Sequence, residues 1–399
     1  MLKPTDIAIV SGARTPMGRY CGKLRDFTAM DLGAIASKCA IQRAGLEAHE
    51  FDHAVFGNAQ QTSGDAIYGA RHVALKAGLP IETPALTVNR LCGSGMQAIV
   101  SGAQMIQLGE AKTVLAGGME SMSQAPHVIR GARWGFGLGE GKLEDSLMVA
   151  LLDTYCGLYM ANTAELYGEQ HGITRQMQDE YALRSQKCAE DAVKAGKLRE
   201  EIVPVQLLDR KGQPTGETFN EDDHRRPQTT MEGLAKLKPA FGKNGTVTAG
   251  NASGIVDGGA AVTLMSVEDA QRRNLKPLGR IVSWSIAGVD PKIMGSGPVP
   301  SSRIALQKAG LKLDDINLVE VNEAFAAQYL AVEKELGLNR EKTNVNGGAI
   351  ALGHPLGATG TRLVITLLYE LRRRKKKYGL ATACIGGGQG IAVIVESFS

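Results

Sequence analysis

Gln42-Arg43-Ala44-Gly45-Leu46 and Gln307-Lys308-Ala309-Gly310-Leu311 are near copies within one chain, and the residues after each copy decide the fold. After the first, an acidic turn leads into Asp52-His53-Ala54-Val55-Phe56-Gly57-Asn58; after the second, another leads into Asn317-Leu318-Val319-Glu320-Val321-Asn322. Asn58 lies 13 residues beyond Gly45, and Asn322 lies 12 beyond Gly310. Each half then has a glycine-rich turn opening a helix-like segment, Gly93-Ser94-Gly95-Met96 and Leu356-Gly357-Ala358-Thr359-Gly360. Each closes on an apolar strand that runs into glycines, Val114-Leu115-Ala116-Gly117-Gly118 and Ala383-Cys384-Ile385-Gly386-Gly387-Gly388. Ala-Gly-Leu alone would mean only a common helix ending. The ordered series implies a βαβ-type unit present twice, hence two similar α/β halves packed together.

This reading divides the chain into residues 1–121, a first half; 122–250, an inserted lobe; and 251–399, a second half. The insert is rich in Met, Gly and polar residues and has one strongly helical piece, about Arg175–Ala195. Long ordered loops on an α/β scaffold commonly hold the substrate. The basic run Arg372 to Lys377 reads as a solvated helix end, where cations suit the dipole.

Composition narrows the function. With 399 residues, 43% of them hydrophobic, the chain can bury a large core. Its 45 Lys+Arg against 41 Asp+Glu leave +4, too weak a bias to argue for nucleic acid. No apolar run reaches the roughly 18–20 residues that span a bilayer. Met1–Asp6 lead directly into Ile7-Ala8-Ile9-Val10 without a basic start or a cleavage site, so a cytoplasmic location is expected, or an organellar matrix in a eukaryote. Six cysteines without paired spacing do not form a disulfide framework, and the default for each is a buried, inert residue. Glycine is in excess, 49 residues, and concentrates at tight turns.

Three residues stand where chemistry could occur. Cys92 follows the apolar Ala85-Leu86-Thr87-Val88 and precedes Gly93-Ser94-Gly95, a strand–turn–helix arrangement that sets it at a helix N-terminus, where free N–H groups favour the thiolate. His354 lies in Gly353-His354-Pro355 before a second helix, 32 residues after Asn322 as Cys92 is 34 after Asn58. A pseudo-twofold would bring the two helix N-termini together, and a Cys–His pair is what an activated thiol needs. Cys384 ends the last apolar strand before three glycines, whose N–H groups suit an oxyanion; tuned toward neutrality, it would serve as an acid/base. Asn322 offers a neutral amide able to hold a water.

These motifs resemble those of the thiolase family along the whole chain and in order. They are Asn89-Arg90-Leu91-Cys92-Gly93-Ser94-Gly95, Asn322-Glu323-Ala324-Phe325-Ala326, Gly347 to Pro355, Cys384 to Gly388, and Gly245-Thr246-Val247-Thr248-Ala249-Gly250-Asn251-Ala252-Ser253-Gly254. The resemblance implies an α/β thiolase fold, two duplicated halves in a layered αβαβα arrangement with an inserted loop domain. It implies reversible acyl transfer between a 3-ketoacyl-CoA plus CoA and an acyl-CoA plus acetyl-CoA, as in β-oxidation or its reverse, a Claisen condensation. By it Cys92 carries the acyl group, His354 activates it, and Cys384 moves the proton at the acetyl-CoA methyl carbon. Asn322, through a water, and His354 form one oxyanion hole; the N–H groups of Cys92 and Gly386 form the other. Arg226, Ser253, Met160, Leu151, Phe241, Ala249 and Phe325 fall at CoA-site positions. Coenzyme A is a substrate, no cofactor is permanently bound, no metal is required, and a homo-oligomer, dimer or tetramer, is expected, with Ala85–Val88 as an interface element.

Tyr159 stands before Met160 where thiolases dedicated to acetoacetyl-CoA often have histidine. The resemblance therefore leans to the mitochondrial-type 3-ketoacyl-CoA thiolases and a short-to-medium chain range, with the dedicated acetoacetyl-CoA thiolase as the alternative. A decarboxylating condensing enzyme would call for a second histidine or an asparagine pair, not an acid/base cysteine. A zinc site lacks a close-spaced ligand pair, and the glycine runs do not form a dinucleotide fingerprint.

Overall fold

A computed structural model describes residues 6–209, 212–242 and 244–398; the reading of Met1–Thr5 falls outside them. The first half contributes β1 (Ile7–Arg14), α1 (Ala29–Ala44), β2 (His53–Gly57), β3 (Ala85–Val88), α2 (Ser94–Gln107) and β4 (Thr113–Ser121). The insert includes α3 (Met160–Gln170) and α4 (Arg175–Lys194). After it come β5 (Val256–Ser266), β6 (Gly279–Gly288), α5 (Pro298–Ala309), β7 (Leu318–Val321), α6 (Ala326–Leu336), α7 (Leu356–Arg373), β8 (Tyr378–Ile385) and β9 (Gln389–Ser397).

The repeated Ala-Gly-Leu is a helix stop. Gly45 and Gly310 take the left-handed conformation at φ 68° and 66°, and their N–H groups close on Gln42 O and Gln307 O. A side chain there would be strained, which explains why glycine recurs. At the other end of α1, Thr28 and Asp31 form a capping box that satisfies two otherwise free N–H groups.

The strands join in the order β7-β8-β9-β6-β1-β5-β4-β2-β3, mixed in direction. The connection between the halves is thin, since β1 and β6 share only the pairs Ala8–Arg280 and Ile9–Gly279. Three apolar clusters define the layers. Between the two sheet halves, α2 and α7 pack on β1, β4, β5, β8 and β9 through Met96, Ile99, Val114, Leu363, Ile365 and Val393. α1 covers the outer face of the first half, with Met30, Ile41 and Phe56 in its core. α5 and α6 cover the outer face of the second, with Leu306, Tyr329 and Leu380. That is the expected αβαβα stacking. The central strands are apolar on both faces because helices cover both.

One boundary differs from the sequence reading. That reading groups residues 251–399 as the second half, yet Val256–Ser266 pairs along its length with β4 on one side and β1 on the other. It belongs to the first half's sheet, and the insert is an excursion between two neighbouring strands of that half. Among the described residues no helix is long and apolar enough to cross a membrane.

Candidate active site

Cys92 sits in a tight turn, Leu91–Gly93, at the mouth of α2. Leu91 is held at φ 45°, unusual for a residue with a side chain. The turn is pinned by Ser94, whose hydroxyl accepts from Arg90 N at 2.8 Å and donates to Leu91 O at 2.7 Å. Gly93 leaves no room for a side chain, because a Cβ would stand 2.5 Å from Ile385 on β8. The turn of the first half thus rests on the strand end of the second.

The helices behind the turn cross backbone to backbone. A Cβ on Gly95 would lie 2.6 Å from Thr361 N, and one on Gly360 2.4 Å from Met96 N. Glycine at this crossing lets α2 and α7 approach closely enough for both N-termini to reach one centre.

His354 precedes α7 and is buried. Its own N–H donates to Gly254 O at 2.9 Å. The Thr359 hydroxyl donates to Pro355 O, so at 2.6 Å it accepts from His354 Nδ1–H. That network assigns the tautomer and leaves the Nε2 lone pair toward Asn322, whose Nδ2 lies 3.3 Å away. Burial, and secondarily Arg362, push the His354 pKa down to about 3, so the ring is a neutral base. Asn322 Oδ1 is buried without a hydrogen-bond partner among the described residues, an orphan acceptor at the centre of the site.

Burial pushes the Cys92 thiol up to about 11, opposed by the N–H groups of Gly386 and of Cys92 itself. The sequence reading has the helix N-terminus favour the thiolate. Those N–H groups do act in that direction, but desolvation outweighs them and the resting group is a thiol. Cys384 is fully buried, and burial followed by the nearby Cys92 raises its pKa well above the ordinary thiol range. Neutral tuning of Cys384 is therefore not present in the resting site. Gly386 follows it with its N–H on Cys92 Sγ, and Gly387 and Gly388 turn the chain at φ 78° and 82°.

A cavity of about 400 Å³ opens beside these groups. Its lining includes His354 and all seven residues expected at a CoA site: Leu151, Met160, Arg226, Phe241, Ala249, Ser253 and Phe325. A second cavity of about 680 Å³ shares His224, Arg226 and Ala249 with it, so the two lie side by side across these residues. Cys384 and Asn322 are fully buried, while Cys92 is part-exposed. Cys92 packs with Met122 and Leu356, and Cys384 with Met160, Ala324 and Phe325.

Buried polar contacts fix the cavity walls. Arg14 donates to Glu201 at 2.7 Å and to both oxygens of Asp222 at 2.7 and 2.9 Å, anchoring the loop that carries His224 and Arg226. Glu323 accepts from Tyr181, Ser185, Asn344 and Ile350 N, tying α4 of the insert to the turns bearing Asn322 and His354. Sequence reasoning missed His224, Tyr20 and Met122, which line the first cavity, and Thr359, which orients His354. Only Thr359 carried a readable signal, a hydroxyl five residues after the histidine in the same turn.

Comparison with known proteins agrees with this arrangement. The family descriptions "Thiolase, N-terminal domain" and "Thiolase, C-terminal domain" match residues 7–268 and 275–397. The first includes β5, as the strand pairing does. The human mitochondrial 3-ketoacyl-CoA thiolase is 54% identical over 98% of each chain. The acetyl-CoA acetyltransferase of Cupriavidus necator is 50% identical over 98% of this chain and 99% of its own. The crystal structure of the human enzyme in complex with CoA superposes with a TM-score of 0.96 at 52% identity, covering 100% of this chain and 99% of that one. That of the Bacillus anthracis acetyl-CoA acetyltransferase also gives 0.96, at 46% identity over 98% and 99%.

Proposed function

The chain belongs to the thiolase family, and from that premise we propose how its residues divide the work of the reaction. It is an acyltransferase of the thiolase type: it splits a 3-ketoacyl-CoA with CoA into an acyl-CoA and acetyl-CoA, and runs the condensation in reverse. In cleavage, His354 Nε2 takes the Cys92 proton and the sulfur attacks the 3-keto carbon. The resulting oxyanion faces the N–H groups of Cys92 and Gly386, an interaction worth roughly 3–4 kcal/mol. Collapse breaks the C2–C3 bond and its electron pair leaves as the acetyl-CoA enolate, with the enolate oxygen toward protonated His354 and a water on Asn322. Cys384 gives its proton to C2. The Cys384 thiolate then takes the proton of an incoming CoA thiol, the CoA sulfur displaces the acyl group from Cys92, and His354 returns the proton to Cys92. The high resting pKa of both thiols fits this scheme, since each must hold a proton until the step that uses it.

The observation that carries this reading is the close crossing of α2 and α7 at Gly95 and Gly360, with the Cys92 turn set against Ile385, next to Cys384, and neutral His354 at the cavity wall. Cys92→Ala should abolish thiolysis by roughly 10⁴-fold or more; a variant that keeps its turnover removes Cys92 from the mechanism.

Arg226, Ser253, Met160, Leu151, Phe241, Ala249 and Phe325 would line the path of the CoA arm. Tyr159 stacks obliquely on Phe241, ring centroids 5.4 Å apart, and this aromatic wall with Leu151 suits a short-to-medium acyl chain. Rates over 3-ketoacyl-CoA substrates from four carbons upward decide it, and activity confined to four carbons selects the dedicated acetoacetyl-CoA reading. β3 is an edge strand with Leu86 exposed, and Ile67, Tyr68 and Ile81 are exposed as well. An open edge of this kind suits pairing with a second copy, so a homo-oligomer is proposed; light scattering at the mass of one chain would reject it.

A further inference from the structure

The strand registers allow the two halves to be matched residue by residue. β2 pairs in parallel with β4, Gly57 opposite Gly118, and β7 pairs in parallel with β8, Val321 opposite Thr382. The residues after Gly57 and Val321 are Asn58 and Asn322. Two residues beyond Gly118 stands Glu120, and two beyond Thr382 stands Cys384. The antiparallel neighbours agree, since Glu120 faces Gly258 on β5 and Cys384 faces Gly390 on β9. Glu120 therefore occupies, in the first half, the position at which the second half carries its acid/base cysteine.

Glu120 is fully buried, and its carboxylate collects four N–H donors from two directions. Oε1 accepts from Asn58 Nδ2 at 2.8 Å and Gln60 N at 3.1 Å; Oε2 accepts from Ala59 N at 3.1 Å and Gly357 N at 2.8 Å. Donors alone surround it, so the bonds favour the anion. Gly357 lies in the first turn of α7, three residues after His354. One side chain thus ties the turn after β2 to the helix whose mouth holds the catalytic base. At the same place the backbones are so close that a Cβ on Gly357 would lie 2.4 Å from Met119 O. An amide in place of the carboxylate would turn an N–H against one of these donors.

We propose that Glu120 is a positioning residue for the thiolase reaction, a buried carboxylate that sets the register of the two helix mouths and so the placement of Cys92 against His354. The inference rests on the roles given to Cys92 and His354 above. Burial pushes Glu120 up to about 7 against the pull of its backbone donors, with Asp257 on β5 adding to the rise, and the Glu120 charge raises the Cys92 pKa further. Cys384, the other thiol near Cys92, is neutral as well.

The test uses full-length protein alkylated with iodoacetamide across a pH range, with the labelled residue identified by peptide mapping, alongside thiolysis kinetics. Glu120→Gln should lower kcat roughly a hundredfold, as a misplacement of about 1 Å does, with KM for CoA within about twofold. It should also move the midpoint of Cys92 alkylation down by roughly a pH unit, because removing an anion favours the thiolate. Glu120→Asp keeps the charge, so its midpoint should stay with the unaltered protein while kcat still falls. An undiminished kcat in Glu120→Gln, or a loss carried by KM for CoA instead, overturns the proposal whatever the melting temperature. If that variant does not fold, Glu120→Asp decides alone, and an undiminished kcat overturns it. Exposed Cys21 will be labelled in any case; a Cys92 that stays unlabelled in the unaltered protein overturns the assigned nucleophile as well, whereas a labelled Cys92 with an undiminished kcat in Glu120→Gln overturns only the role of Glu120.

Discussion

The two halves build the same strand–helix crossing and place different chemistry on it. In the first, Asn58, Cys92 and Glu120 stand at the end of β2, the mouth of α2 and the end of β4. In the second, Asn322, His354 and Cys384 stand at the matching places on β7, α7 and β8. Apart from the asparagine after β2 and β7, the features common to both halves at the crossing are backbone contacts. Gly95 and Gly357 each lie three residues after the catalytic group of their half, and each is pressed against main chain of the other helix or its neighbouring strand. The difference lies in side-chain chemistry, which the close crossing then collects into one site. A duplicated fold thus yields an asymmetric centre: a nucleophile and a buried carboxylate from one half, a base and a proton carrier from the other.

The comparison can be broken most severely at the two cysteines. Cys384→Ala should lose carbon–carbon cleavage by roughly 10²–10⁴-fold, the usual contribution of a positioned acid/base, measured as thiolysis turnover. Because Cys384 also exchanges a proton with CoA, acylation of Cys92 should slow but persist, and its complete loss in a folded protein would erase the division of labour between the halves. Gly95→Ala tests the shared scaffold. Its methyl would meet Thr361 N and the Gly357 carbonyl on α7, so the variant should lose roughly 1–3 kcal/mol of stability, as overpacking does. A melting temperature equal to that of the unaltered protein would show that the helices can part without cost.

The smallest effect contrasts His354 with His224 of the insert. Both are buried enough to stay neutral, at about 3 and about 4 against an ordinary 6.5. The unfolded chain therefore takes up these protons first, so their stability is intact above about pH 6.5 and is lost as pH falls toward 4. His224→Gln should flatten the fall in melting temperature between pH 6.5 and 4. An unchanged slope would mean that His224 is not held neutral.

Much of this was legible in the sequence because it rests on local rules. Gly45 and Gly310 marked equivalent helix ends since both need a left-handed stop, and Cys92 and His354 stood out as reactive types beside glycine at helix mouths. The membership of Val256–Ser266 in the first half was not legible, because pairing across so long an insert leaves no local trace. Glu120 was hidden for a related reason. Its four donors come from the turn after β2 and from α7, and only the folded register shows that it stands opposite Cys384. The thiol pKa values also escaped, since burial outweighs the helix N-terminus only once the cavity walls are in place.

The most direct test of the account is to expose the Cys384→Ala protein to acyl-CoA, quench it, and map the adduct by peptide mass. The division of roles between the halves predicts one acyl group on Cys92 despite the lost cleavage activity. An adduct on another residue, or none in a protein that still folds, would contradict it.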